Sequence, residues 1–147
     1  MRIVTLTGVL LLALAGIGEA APAVRVTLNS NAIGAVERSG HVDRIRTALA
    51  DAVAAAPADA KHLDVAVTRL SYATVGDEVE VCVELKVIVS TAGDEMRSFA
   101  SGNARLTVAR HGFRVDQLPA LRRAVMHDAL DALRRRIRSL RPAKSVS

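Results

Sequence analysis

The chain has 147 residues, half of them apolar, with a formal net charge of +5 and one cysteine. That length suits a single domain of ordinary size, and the apolar share supplies a core without metal or a disulfide framework, which a lone cysteine cannot build. Aromatics are restricted to Tyr72, Phe99 and Phe113, so the core must rest on Val, Leu, Ile and Ala.

Arg2, an apolar run from Ile3 to Ile17 and a small-residue exit read as a secretory signal peptide. The run ends at Glu19, short of the about 20 apolar residues a spanning helix needs, so no transmembrane span is expected after cleavage. A cut after Ala20 puts Gly18 and Ala20 at the positions that must be small, with Ala23 as the alternative. Lipid attachment would need a cysteine at the cut, and Cys82 lies far downstream. "GIGEAA" has the spacing of a dinucleotide fingerprint, but it sits at the signal exit rather than between a strand and a helix, and is set aside. The expected division is a signal over 1–20, one domain over 24–141 and a disordered tail over 142–147. The expected location is the bacterial periplasm, or outside the cell.

"AVRVTL" alternates Val24, Val26 and Leu28 with polar residues, a half-buried strand. Val42, Ile45, Leu49, Ala52, Val53 and Ala56 recur at helical steps, with Ser39 as N-cap and Pro57 beyond the end. Leu63, Val65 and Val67 begin a second strand, whose pattern slips to Leu70 and Tyr72 as a bulge would make it. After a Gly76-Asp77 turn, Val79, Val81, Val83, Leu85, Val87 and Val89 keep strict period two, with Glu80, Cys82, Glu84 and Lys86 on the opposite face. A turn at Ala92-Gly93-Asp94 precedes a strand whose inward set, Met96, Ser98, Ala100, Gly102, Ala104, Leu106 and Val108, is small in the middle, which invites a helix to pack close. Asp116 is placed to cap a long helix with Pro119 in its first turn and Leu118, Leu121, Val125, Ala129, Leu133, Ile137 and Leu140 as its stripe. The order β-α-β-β-β-α predicts one α+β domain, a mostly antiparallel sheet with both helices on one face.

The meander "VAVTRLSYATVGDEVEVCVELKVIV", the strand "SGNARLTV" and the closing helix "ALRRAVMHDALDALRRRI", behind an export signal, resemble the small periplasmic domains of envelope accessory proteins. The outer-membrane activators of penicillin-binding proteins and the periplasmic domain of the curli secretion channel are examples. The resemblance rests on the pattern of elements and carries over no functional residue. It implies a lipid anchor on an N-terminal cysteine, which this chain does not carry.

No Walker loop, G-x-S-x-G, C-x-x-C or kinase motif occurs. His41, His62, His111 and His127 show no metal-binding spacing and are expected to face solvent; no metal or cofactor is expected. Cys82 lies between Glu80 and Glu84, whose charge opposes thiolate formation, so a structural thiol is favoured over a nucleophile. Its redox state stays open, including an intermolecular disulfide. Six acids crowd 76–95, while seven arginines and Lys144 follow Asp116. Arg134, Arg135, Arg138 and Arg141 on the last helix, with Glu80 and Glu84 on the acidic strand, are therefore the candidate partner-binding residues. Arginine grips phosphate and carboxylate, so the partner would be an envelope protein or an anionic envelope surface; nucleic acid is not expected. The reading is an exported, non-catalytic accessory or binding protein. Its alternatives are an enzyme with a site near Cys82 and a self-associating structural subunit.

Overall fold

A computed structural model describes residues 23–30, 33–53, 62–93 and 95–139. The expected signal segment, Ala56, Pro57, Asp94, Leu140, Arg141 and the tail lie outside these. The elements are β1 (Ala23–Leu28), α1 (Ala35–Val53), β2 (His62–Val75), β3 (Glu78–Ser90), β4 (Met96–Ala109), a 3-10 turn (Val115–Gln117) and α2 (Leu118–Ser139). The order β-α-β-β-β-α and the α+β class are as the sequence pattern predicts.

Strict alternation along β3 drives the architecture. The six apolar residues of its alternating set, Val79 to Val89, are each at most 1% exposed, so a continuous row is sealed from water and β3 must be covered along its length. The sheet runs β1-β2-β3-β4, with β1 parallel to β2 and the other pairs antiparallel. Registers Val65↔Val87 and Val87↔Ala100 carry the apolar face across the strands. α2 lies over β4 and β3, while α1 packs on β1 and against α2. Leu63 and Leu85 from the sheet, Ile45 and Leu49 from α1, and Met126, Leu133 and Ile137 from α2 are fully enclosed between these layers.

β2 carries the expected bulge, as its register slips between Val67 and Arg69. Val67 opposes Leu85 and Leu70 opposes Val83, so both stay on the helix side although they are an odd three positions apart. Gly76 supplies the turn to β3 with φ of +59°, a conformation that residues with a Cβ adopt only at a cost.

Two helix starts differ from the sequence expectation. α1 begins at Ala35, with the Arg38 amide donating to the Gly34 carbonyl at 3.0 Å, so Ser39 is an exposed interior residue and not the N-cap. The apolar periodicity starts late because the inward positions of the first turns are Glu37 and His41. Asp116 lies in the 3-10 turn before α2 and caps nothing. Its carboxylate pairs with the Arg114 guanidinium, and Gln117 Oε1 accepts the Arg114 amide at 3.0 Å. Pro119 does sit in the first turn of α2.

The small centre of β4 has the predicted effect. A Cβ placed on Gly102 would stand 2.5 Å from the Ala129 carbonyl oxygen and 2.9 Å from Leu133 N and Cβ. Helix backbone meets strand backbone with no side chain between. Gly102→Ala is therefore expected to lower stability by at least about 2 kcal/mol, since α2 can relieve the overlap only by lifting off the sheet. The expected fall in Tm is roughly 10 °C. Thermal and urea unfolding check this, and an unchanged midpoint would mean that the helix does not ride on Gly102.

Candidate functional site

The sheet face turned away from the helices carries Glu80, Cys82 and Glu84. Cys82 Sγ donates to Glu80 Oε1 at 3.1 Å, and Arg105 Nε stands 3.4 Å from the same oxygen. Glu84 is 3.5 Å from Lys86 Nζ, and Arg25 bridges Asp64 at 2.9 Å between β1 and β2. Arg69, Cys82, Glu84, Asn103 and Arg105 line a shallow depression of about 330 Å³. Glu80 and Glu84 thus stand beside Arg105 of β4 and Lys86 of β3, as Asp64 stands beside Arg25 of β1, and the face is a mixed lattice. Burial pushes the Cys82 thiol up, and the hydrogen bond to Glu80 and that carboxylate's charge push it further. Such a thiol stays protonated and donating, the opposite of an activated nucleophile.

The arginines of α2 separate by direction. Arg134 lines the groove between the helices, with Nη1 3.6 Å from Asp131 Oδ1. Arg136 reaches past β4 and donates from Nη1 to the Ser101 carbonyl at 2.6 Å and to Ser101 Oγ at 3.0 Å. Arg135 and Arg138 are exposed and form no ion pair among the described residues. Arg141 lies outside the described residues. The sheet separates Glu80 and Glu84 from these arginines, so the structure does not bring the two candidate sets together.

The interhelical groove has a volume of about 360 Å³. Ala48, Met126 and Leu130 provide its apolar lining, and Asp43, Arg44, Asp131 and Arg134 are among the charged groups beside them. His127, exposed, stands 3.4 Å from Asp131 at this rim. Among the described residues no group of three or more His, Cys, Asp or Glu is arranged to hold a metal ion.

A polar cluster inside the helix pair escaped the sequence reading. Arg122 Nη1 of α2 stands 3.2 Å from both carboxylate oxygens of Glu37 on α1. His41 Nε2 stands 3.4 Å from Glu37 Oε1. His41 has no exposed surface, which corrects the expectation of four solvent-facing histidines; its Nδ1 has no partner. His62 is half-buried, while His111 and His127 are exposed. A sequence signal did exist. Arg122 falls in phase with Leu118, Met126 and Leu130, and His41 in phase with Ile45 and Leu49, so each is a polar residue inside an apolar stripe.

No family model and no curated protein matches the chain. Solved structures do. A minor lipoprotein from Acinetobacter baumannii is 12% identical over 78% of this chain and 91% of its own, with a TM-score of 0.52. A candidate lipoprotein from Caulobacter crescentus is 15% identical over 78% and 84%, with a TM-score of 0.49. The lipoprotein GNA1162 from Neisseria meningitidis is 18% identical over 47% and 46%, with a TM-score of 0.31. The fold is therefore a small α+β domain that also occurs in a bacterial lipoprotein. Among the described residues, no helix is long and apolar enough to cross a membrane.

Two outcomes test the site chemistry. Burial lowers the His41 pKa below its ordinary 6.5, against the opposing pull of Glu37, while Arg44 and Arg122 add to the lowering. The unfolded chain then takes up the proton first as pH falls. The His41 contribution to stability is complete above pH 6.5 and is lost as pH drops below it. Urea midpoints should fall across that window, and His41→Gln should flatten the fall; parallel pH profiles would exclude this role. Alkylation of native Cys82 near neutral pH should be slower than that of a free thiol, and Glu80→Gln should speed it. Labelling as fast as the free thiol would show that Glu80 does not restrain the sulfur.

Proposed function

We propose that the protein is an exported, non-catalytic envelope protein of the accessory-domain kind, which works by binding an anionic envelope component through the exposed arginines of α2. The observation that carries this reading is the fate of the charges. Asp64, Glu84 and Glu80 of the outer sheet face stand beside Arg25, Lys86 and Arg105, whereas Arg135 and Arg138 stand exposed without ion pairs among the described residues, on a chain whose net charge is +5. Uncompensated guanidinium groups on a rigid helix suit phosphate or carboxylate, which they grip in two-pronged fashion. The sheet and the low-lying helix α2 hold that surface fixed, so little ordering is required on binding.

Support for an envelope location comes from the fold shared with the Acinetobacter minor lipoprotein and from the basic, apolar and small-residue order of the first twenty-odd residues. An acidic envelope protein would satisfy the same arginines as an anionic lipid headgroup. The lipid surface is the simpler partner to test.

Vesicles of phosphatidylcholine with and without phosphatidylglycerol, at low and at high salt, provide the test. Binding is expected only to the anionic vesicles and should fade as salt shortens the screening length from about 30 Å at 0.01 M to about 8 Å at 0.15 M. The double change Arg135→Glu with Arg138→Glu should weaken binding at least tenfold (about 1.4 kcal/mol) with the melting temperature held. Equal binding to both vesicle types, or no loss in the double variant, would overturn the reading.

A further inference from the structure

The sheet's free edges are protected unequally. β1 is only six residues long and carries Arg25. On β4, Arg136 folds over from α2 to occupy the Ser101 carbonyl. Charged side chains and short strands are the usual means of stopping an edge from pairing with another chain. β2 has no such protection in its second half. β1 accompanies it only as far as the pair Leu28↔Val67. Beyond the bulge, Arg69–Val75 is hydrogen-bonded to β3 on one side and paired with nothing on the other among the described residues.

That segment reads RLSYATV. It contains no proline or glycine and one charge, at its first residue, and it is rich in residues that suit strands. Six of its seven residues are exposed and Leu70 is half-buried. Tyr72 is 46% exposed and Val75 57%, large apolar surfaces for an edge that faces only water. The bulge separates the two halves of the strand: one is enclosed between β1 and β3, and the other is paired only with β3, which β4 flanks in turn, and has an open rim on its far side among the described residues.

We propose that this rim is a self-association site, at which two copies pair their Arg69–Val75 edges antiparallel and join two four-stranded sheets into one. The ends of the segment choose this occupant. Arg69 stands at its start and Asp77 and Glu78 follow its end, and none of the three has an ion pair among the described residues. An antiparallel second copy brings each Arg69 beside the other copy's Asp77-Glu78 turn, twice over. A parallel copy would set like charges together. The faces agree as well. Leu70, Tyr72 and Thr74 lie on the helix side opposite Val83, Val81 and Val79. Antiparallel pairing sets them against the same three residues of the partner, while Ser71 and Ala73 meet their counterparts on the outer side. A rim of seven residues is about 23 Å long and supports roughly one backbone hydrogen bond per residue. This goes beyond the anionic binding proposed above, which uses the exposed arginines of α2.

The full chain would be expressed in a bacterium, isolated from its envelope fraction and measured by sedimentation equilibrium over a hundredfold range of concentration. The expected result is a reversible monomer–dimer equilibrium. Ala73→Lys sets a charge in the middle of the rim, where two copies would face each other, and should weaken dimerisation at least about tenfold with an unchanged monomer melting temperature. Arg69→Glu should also dissociate the dimer, and adding Glu78→Arg to it should restore pairing. In a Cys82→Ser background, Tyr72→Cys, at the residue this pairing sets opposite its own copy, should form a disulfide-linked dimer on mild oxidation. A chain that stays monomeric throughout overturns the proposal. So does a dimer that Ala73→Lys fails to weaken, because it would associate through another surface.

Discussion

Most of this structure follows from one close approach, the contact of α2 with β4 at Gly102. A helix resting on an ordinary strand is held away by side chains on both surfaces. Here Ala100, Gly102 and Ala104 reduce the strand to its backbone, and the Ala129 carbonyl and Leu133 settle directly over Gly102. The low seat places Leu133 and Ile137 wholly inside the core and brings Arg136 within reach of Ser101. It also fixes the height of α1, which packs on β1 and on the flank of α2. The Glu37–Arg122 pair closes the seam between the helices at the height that contact sets.

The legible parts of the sequence were those in which side-chain pattern and burial are the same thing. β3 alternates strictly because one of its faces is sealed, and both of its neighbours could be read from it. The slip from Val67 to Leu70 announced the bulge, since an apolar set cannot change phase in a strand without an extra residue. The run of small residues in β4 announced the close helix. The pattern failed where polar residues point inward. Glu37, His41 and Arg122 satisfy one another across the helix seam, and a periodicity that scores them as solvent-facing starts α1 too late and leaves His41 outside. Asp116 misled for a related reason. An acid ahead of a helix is a cap by type, but its carboxylate is engaged by Arg114, two residues earlier. The candidate binding residues were legible as charges and illegible as a surface, because sequence distance separated Glu80 from the Arg105 that stands beside it.

The buried cluster and the exposed arginines show two uses of one side chain. Arg122 is enclosed and held by both oxygens of Glu37, and removing its partner would strand a charge in a poorly solvated place. Arg136 is spent on a backbone carbonyl. Arg135 and Arg138, on the same helix, have no such engagement among the described residues. The helix therefore divides its guanidinium groups between holding the fold and facing outward. Such a division lets the outward pair change without disturbing the inward one.

The placement of Tyr72 has an optical consequence. The chain has no tryptophan and this single tyrosine, so its tyrosine emission originates at one point on the open edge of β2. That residue is nearly half exposed in the folded chain and stands apart from the enclosed layer of Ile45, Leu49, Leu85 and Leu133. Emission from this protein reports on the rim of β2 and hardly at all on the interior. A change in its anisotropy or quenching therefore signals an event at that rim, whereas loss of the interior has to be followed through backbone circular dichroism.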